Sequence, residues 1–154
     1  MKEKVIVMIV LLVMVIILFF IFKKSPEITT IKRLYFTYTN GYAINSYVIY
    51  ELNCDDKCTV KIKPLGEDEE NAKEYNVSKK DLERIEKVLK DNHVEKWNGF
   101  NKNDKNVLDG DSFSMSITTR EGEEIDAHGY MKWPTNYGEV KTELDKIFED
   151  IRKD

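Results

Sequence analysis

The sequence is poor in the residues that most often carry chemistry. It has two cysteines and two histidines among 154 residues. It contains no G-x-S-x-G, H-E-x-x-H or S-x-x-K motif and no Walker-type glycine-rich loop, which excludes the commonest hydrolase, metalloprotease and nucleotide sites. His93 and His128 stand 35 positions apart, so no local ligand spacing builds a zinc site with Cys54 and Cys58, although Cys2His2 is a zinc inventory. "NKNDKNVLDGD" is rich in carboxylates and amides, but it lacks the residue order of an EF-hand calcium loop. No metal or other cofactor is expected. An excess of positive charge is also missing: 24 Lys+Arg face 28 Asp+Glu. Nucleic acid and anionic lipid headgroups, which call for a basic patch, are therefore not expected as main partners.

The most distinctive stretch that is present is Val5 to Phe22, an unbroken apolar run of 18 residues between lysines. As a helix it would span about 27 Å, enough for the hydrocarbon core with the flanking lysines snorkelling. It is longer than a signal-peptide core and passes into "FKKSPE" without a small-residue cleavage site, and no cysteine follows it for lipid attachment. We therefore expect residues 1–24 to be a single-pass transmembrane signal-anchor, 25–30 a linker and 31–154 a soluble domain, with membrane contact through residues 5–22. A literal count of flanking lysines and arginines favours a cytoplasmic C-terminus, whereas large downstream domains translocate largely regardless of charge. The short basic tail ahead of the run favours a cytoplasmic N-terminus and an extracytoplasmic domain. Residues 1–24 hold four lysines and one glutamate, which leaves 20 basic against 27 acidic residues and a net charge of −7 beyond the anchor.

The remainder reads as one α+β domain. Leu34, Phe36 and Tyr38 alternate on one strand, and Ile44, Ser46, Val48, Tyr50 and Leu52 on the next, with Asn40-Gly41 as a tight turn between them. Val60 and Ile62 mark a third strand, "PLGEDEEN" a solvated acidic loop, and "AKEYNV" a short fourth strand. "VSKKDLERIEKVLKDN" is a helix with Ser78 and Asp81 at capping-box spacing and an apolar stripe of Leu82, Ile85, Val88 and Leu89. "WNGFNKNDKNVLDGD" reads as a turn-rich connection. Two further strands follow, carrying Phe113, Met115 and Ile117, then Ile125 and Ala127, around "REG". A last helix, started by Asn136 as N-cap with Glu139 three residues on, bears Val140, Leu144, Ile147, Phe148 and Ile151. The expected order, β-β-β-(β)-α-β-β-α, gives one antiparallel sheet of about five or six strands, with both helices on one face.

"VEKWNGF…NVLDGDSFSMSI…GEEIDAHGYMKWPTNYGEV", covering about residues 94 to 148, resembles a pattern in small uncharacterised membrane- or lipid-anchored proteins of Gram-positive bacteria. The resemblance rests on its Trp, Asp-Gly and Pro-x-Asn-aromatic elements. It implies an extracytoplasmic location and an α+β fold, and it assigns no role to any residue.

The three-residue loop "DDK" sets Cys54 and Cys58 across a turn. A disulfide there would pin strand register and require an oxidising compartment, whereas two free thiols are the alternative in a reducing one. A thioredoxin-type pair would need C-x-x-C at a helix start. Trp97, Phe100 and Trp133 flank turns and are the candidate lining of a binding groove; packing against sheet edges is the competing role. Asp109, Asp126 and His128 are the alternative, an acid–base group, although alternation turns Asp126 and His128 to the wet face of their strand. The leading expectation is a non-enzymatic extracytoplasmic binding domain for a protein or cell-envelope component. The alternatives are an envelope enzyme around Asp109, Asp126 and His128, and a cytoplasm-facing domain that regulates a membrane partner.

Overall fold

A computed structural model describes residues 8–9, 12–14, 27–39 and 45–153. The expected anchor lies outside the described residues apart from residues 8–9 and 12–14, which are helical and exposed, and the Asn40-Gly41 turn lies outside them altogether. Among the described residues no helix is long and apolar enough to cross a membrane.

Among the described residues of the domain are seven strands and two α-helices: β1 (Ile31–Thr39), β2 (Tyr47–Asn53), β3 (Thr59–Lys63), β4 (Lys73–Asn76), α1 (Lys79–Asp91), β5 (Phe100–Asn103), β6 (Ser112–Thr119), β7 (Glu124–Tyr130) and α2 (Tyr137–Lys153). One sheet holds all the strands in the order β4-β3-β2-β1-β6-β7-β5. The α+β class stands, but the sheet is mixed and larger than the sequence suggested. The additional strand is β5, inside the segment read as a turn-rich connection, and it pairs in parallel with β7.

Alternation decides the faces. Leu34, Phe36 and Tyr38 of β1 lie opposite Leu52, Tyr50 and Val48 of β2, and all six are buried. A register shift between Ile31 and Arg33 in the β1–β6 ladder lets Ile31 join Leu34 in the core despite its odd spacing, as a bulge does. The stripes of α1 (Ile85, Leu89) and α2 (Val140, Leu144, Ile147, Phe148, Ile151) complete that core. Packing begins before β1, because Ile28 is 4% exposed and the Thr30 carbonyl accepts the Arg120 backbone N–H at 2.9 Å.

β4 and β5 are the two edges of the sheet, so the chain crosses it between them. Six strand spacings amount to about 29 Å, of which the 13 residues of α1 supply about 20 Å. Ser78 caps α1 as expected, its hydroxyl oxygen accepting the Asp81 N–H at 3.1 Å. α2 starts differently from the expectation: Asn136 holds φ +63°, outside the extended region an N-cap uses, and its carbonyl accepts the Val140 N–H at 3.0 Å.

The acidic loop after β3 is more than solvated chain. Asp68 accepts the Asn45 side-chain amide and Glu69 the Tyr47 hydroxyl. Lys63, only 1% exposed, donates to the Asn45 and Tyr47 carbonyls at 3.1 and 2.6 Å. Its ammonium lies 3.5 Å from the Tyr47 ring centroid, and burial pulls its pKa down. Two carbonyls and a ring face replace water around the cation.

Candidate functional site

Two irregular segments meet at one end of the sheet and leave a cavity of about 480 Å³ between them, inside the range of small-ligand sites. The first runs from the end of α1 to β5. His93 takes a left-handed φ of +54° and turns the chain into a short 3-10 turn, Val94–Trp97, which buries both its end residues. Gly99, at φ +78°, then lets the backbone fold onto β7, where its N–H donates to the Asp126 carbonyl at 2.8 Å. The second segment, Met131 to Asn136, joins β7 to α2. Met131 sits at φ +52°, a conformation that costs a long side chain energy. Trp97 ties the segments together, its Nε1–H donating to the Thr135 carbonyl at 3.0 Å.

Three of the four non-glycine residues with positive φ among the described residues are His93, Met131 and Asn136. Two of these line the cavity and the third lies in its second segment. Backbone strain of this kind gathers where a site needs a fixed shape.

Trp97, Phe100 and Trp133 all line the cavity. Trp97 is 2% exposed and Trp133 is 40% exposed, so one indole is part of the wall and the other stands at the mouth. Trp133 stacks on Tyr137 at 4.7 Å and 19°, and Phe113 lies 5.7 Å from Trp133 and 6.2 Å from Trp97 and Phe100. These offset contacts hold the exposed ring as a fixed platform. Burial pushes the Tyr137 phenol pKa up, and Tyr38 and Asp145 add to the shift.

Among the described residues the cavity lining holds Lys96 and Lys102 beside His93 and no carboxylate, with one acidic residue standing next to it. Glu95 sits beside His93, with its Oε1 3.1 Å from Nδ1. Among the described residues neither Lys96 nor Lys102 has an ion-pair partner. The Lys102 ammonium lies 5.3 Å from the Phe100 ring centroid. Sequence reasoning picked out the aromatic members but not these lysines, which look like any others in a chain with 24 basic residues. Only their convergence on one cavity distinguishes them.

A second cavity, about 400 Å³, lies between α2 and the β2–β3 side of the sheet. At its wall Asp145 Oδ1 accepts the hydroxyls of Tyr38 and Tyr50 at 2.9 and 2.8 Å, and Lys141 donates to Oδ2 at 2.8 Å. Burial, then the Asp145 charge, raises both phenol pKa values. Every polar atom of this group is partnered within it, so it anchors α2 to the sheet rather than waiting for a ligand.

Asp109, Asp126 and His128 are all exposed. Asp126 and His128 occupy the open face of β7, opposite Ser116 and Ser114 of β6, and Asp109 sits in the loop before β6. Among the described residues no group of three or more His, Cys, Asp or Glu is placed to hold a metal ion. The Cys54 and Cys58 sulfurs lie at disulfide distance, with Cα atoms 3.9 Å apart. The pair stands just beyond the last ladder pair, Asn53–Thr59. Cys54 donates its N–H to Lys32 and Cys58 accepts from Val77, both at 2.8 Å, so the turn is bonded to the neighbouring strands as well. No protein-family model matches the chain, and no match was found among curated proteins.

Proposed function

We propose that this protein is a membrane-anchored, extracytoplasmic, non-enzymatic binding domain whose ligand seats in the Trp97–Phe100–Trp133 cavity. The observation that carries the reading is the cavity itself: an aromatic wall on strained backbone, with two lysines that have no ion-pair partner among the described residues. Its position supports the same reading. β1 begins beside Thr119, whereas the cavity loop leaves β7 at Tyr130, opposite Ser112 at the other end of β6. The nine residues of β1 separate these ends by about 30 Å. A chain anchored ahead of Ile28 would hold the cavity away from the bilayer and towards the envelope. The cysteine pair at disulfide distance fits an oxidising compartment, where such a bond persists, and the resemblance of residues 94 to 148 to anchored Gram-positive proteins fits the same location.

The test uses the full chain in lipid nanodiscs and purified cell-wall sacculi in a co-sedimentation assay. Binding is expected, with a loss of about tenfold or more for Trp133→Ala and no change for alanine at Asp109, Asp126 and His128 together. Binding by Trp133→Ala equal to the parent overturns the site. Activity of a topology reporter fused to Asp154 only on the cytoplasmic side overturns the location.

A further inference from the structure

We infer that the cavity takes an anionic saccharide, a pyranose ring lying on Trp133 with its carboxylate or phosphate group held by Lys96 and Lys102; this rests on the cavity being the binding site, as proposed above. Three observations converge on this class.

Charge is the first. Among the described residues the lining carries Lys96 and Lys102 and no carboxylate, neither lysine has an ion-pair partner, and the neighbouring Glu95 is engaged with His93. Everything beyond residue 24 has a net charge of −7. A dense polyanion such as nucleic acid would meet net repulsion before reaching so small a basic site. A ligand with one anionic group per ring meets the lysines without that opposition.

The second is the platform. The Trp133 indole is exposed on one side and backed by Tyr137 on the other. A sugar presents an apolar C–H face and a polar rim, so it needs one ring beneath it and short polar groups around it. Asn92, Thr135 and Asn136 supply the short polar groups in the same lining. Nucleobases also stack on single aromatic rings, so adenosine monophosphate is the probe that separates the two classes.

Rigidity is the third. The segments carrying these groups are held by the Trp97–Thr135 hydrogen bond and by left-handed residues at His93, Met131 and Asn136. Ring and charge recognition depends on such a fixed spacing, because a preorganised site loses little entropy on binding.

Fluorine NMR tests the inference on the full chain in nanodiscs with 5-fluorotryptophan at Trp97 and Trp133, assigned with Trp133→Phe. Four probes are titrated: tri-galacturonate, its neutral methyl ester, glucose 6-phosphate and adenosine monophosphate. We expect the Trp133 resonance to shift and saturate with tri-galacturonate or glucose 6-phosphate at concentrations at least about tenfold below those of the methyl ester, the size of a charge-assisted contact. Whichever acidic sugar binds more tightly identifies the anion. Lys96→Gln with Lys102→Gln should remove the advantage and its sensitivity to salt, and the double arginine variant should restore it. Equal binding of the methyl ester overturns the anionic requirement, and tighter binding of adenosine monophosphate overturns the saccharide class. If no probe moves Trp133 while sacculus binding still depends on it, the ligand class fails and the site stands. If sacculus binding is also independent of Trp133, the site itself fails.

Discussion

At position 129 a Cβ would run into the Lys132 carbonyl oxygen and lie 2.5 Å from Phe113 Cε1, so the bend that launches the Trp133 loop passes directly over the core. Gly129→Ala must push either that loop or the Phe113 ring aside. We expect a loss of about 2–3 kcal/mol in urea denaturation, together with a shifted Trp133 environment; a parent-like midpoint would show that the loop gives way freely. Asp145 is the other single residue on which much depends, because one of its oxygens serves two tyrosine hydroxyls. Asp145→Ala leaves both buried tyrosines without this acceptor and should cost about 2 kcal/mol, whereas Tyr50→Phe, which removes one donor cleanly, should cost less in the same denaturation series.

Between elements, Arg84 links the helices. It donates to Asp81 on its own helix at 3.0 Å and to Asp150 of α2 at 2.8 Å. The hydrogen bond from Arg84 holds the Asp150 carboxyl below its ordinary pKa. A folded pKa below the unfolded one contributes stability that is present above the unfolded value, near pH 4, and is lost as pH falls through the folded value. Asp150→Asn should therefore melt slightly below the parent at pH 7, and the difference should disappear at about pH 2. A difference that persists in acid would assign the effect to packing instead. β5 shows what an element can owe to its neighbours. "FNKN" has one half-buried residue and three exposed ones, so it carries no alternation of its own. Its strand character comes from the parallel ladder to β7, and Lys102 and two asparagines suit an edge that should not recruit another chain.

At the scale of the whole molecule, the Cys54–Cys58 turn and the cavity lie at opposite ends of the sheet, the turn beside the start of β1 and the cavity beyond the end of β7. So short a loop restricts the unfolded chain little, and its closure should add no more than about 2 kcal/mol. Intact-mass measurement under non-reducing conditions should find the chain lighter by a pair of hydrogens. Reduction should lower the urea midpoint modestly and leave the far-ultraviolet spectrum and Trp133 unchanged. Free thiols in the native protein would remove this support for an oxidising location.

The sequence by itself determined what local periodicity can encode: the core faces of β1, β2, β6 and β7, the stripes of α1 and α2, and the Ser78 cap all follow from spacing that a single element imposes. It also marked Trp97, Phe100 and Trp133 as aromatic residues beside turns. Only the tertiary structure decided that these three line one cavity, that Lys96 and Lys102 join them without an acidic partner among the described residues, and that "FNKN" is a strand. The physical reason is the same in each case. Trp97 and Trp133 belong to segments on either side of β6 and β7, and β5 pairs through its backbone, which carries no residue code. Contacts of that kind exist only once α1 has carried the chain from one edge of the sheet to the other.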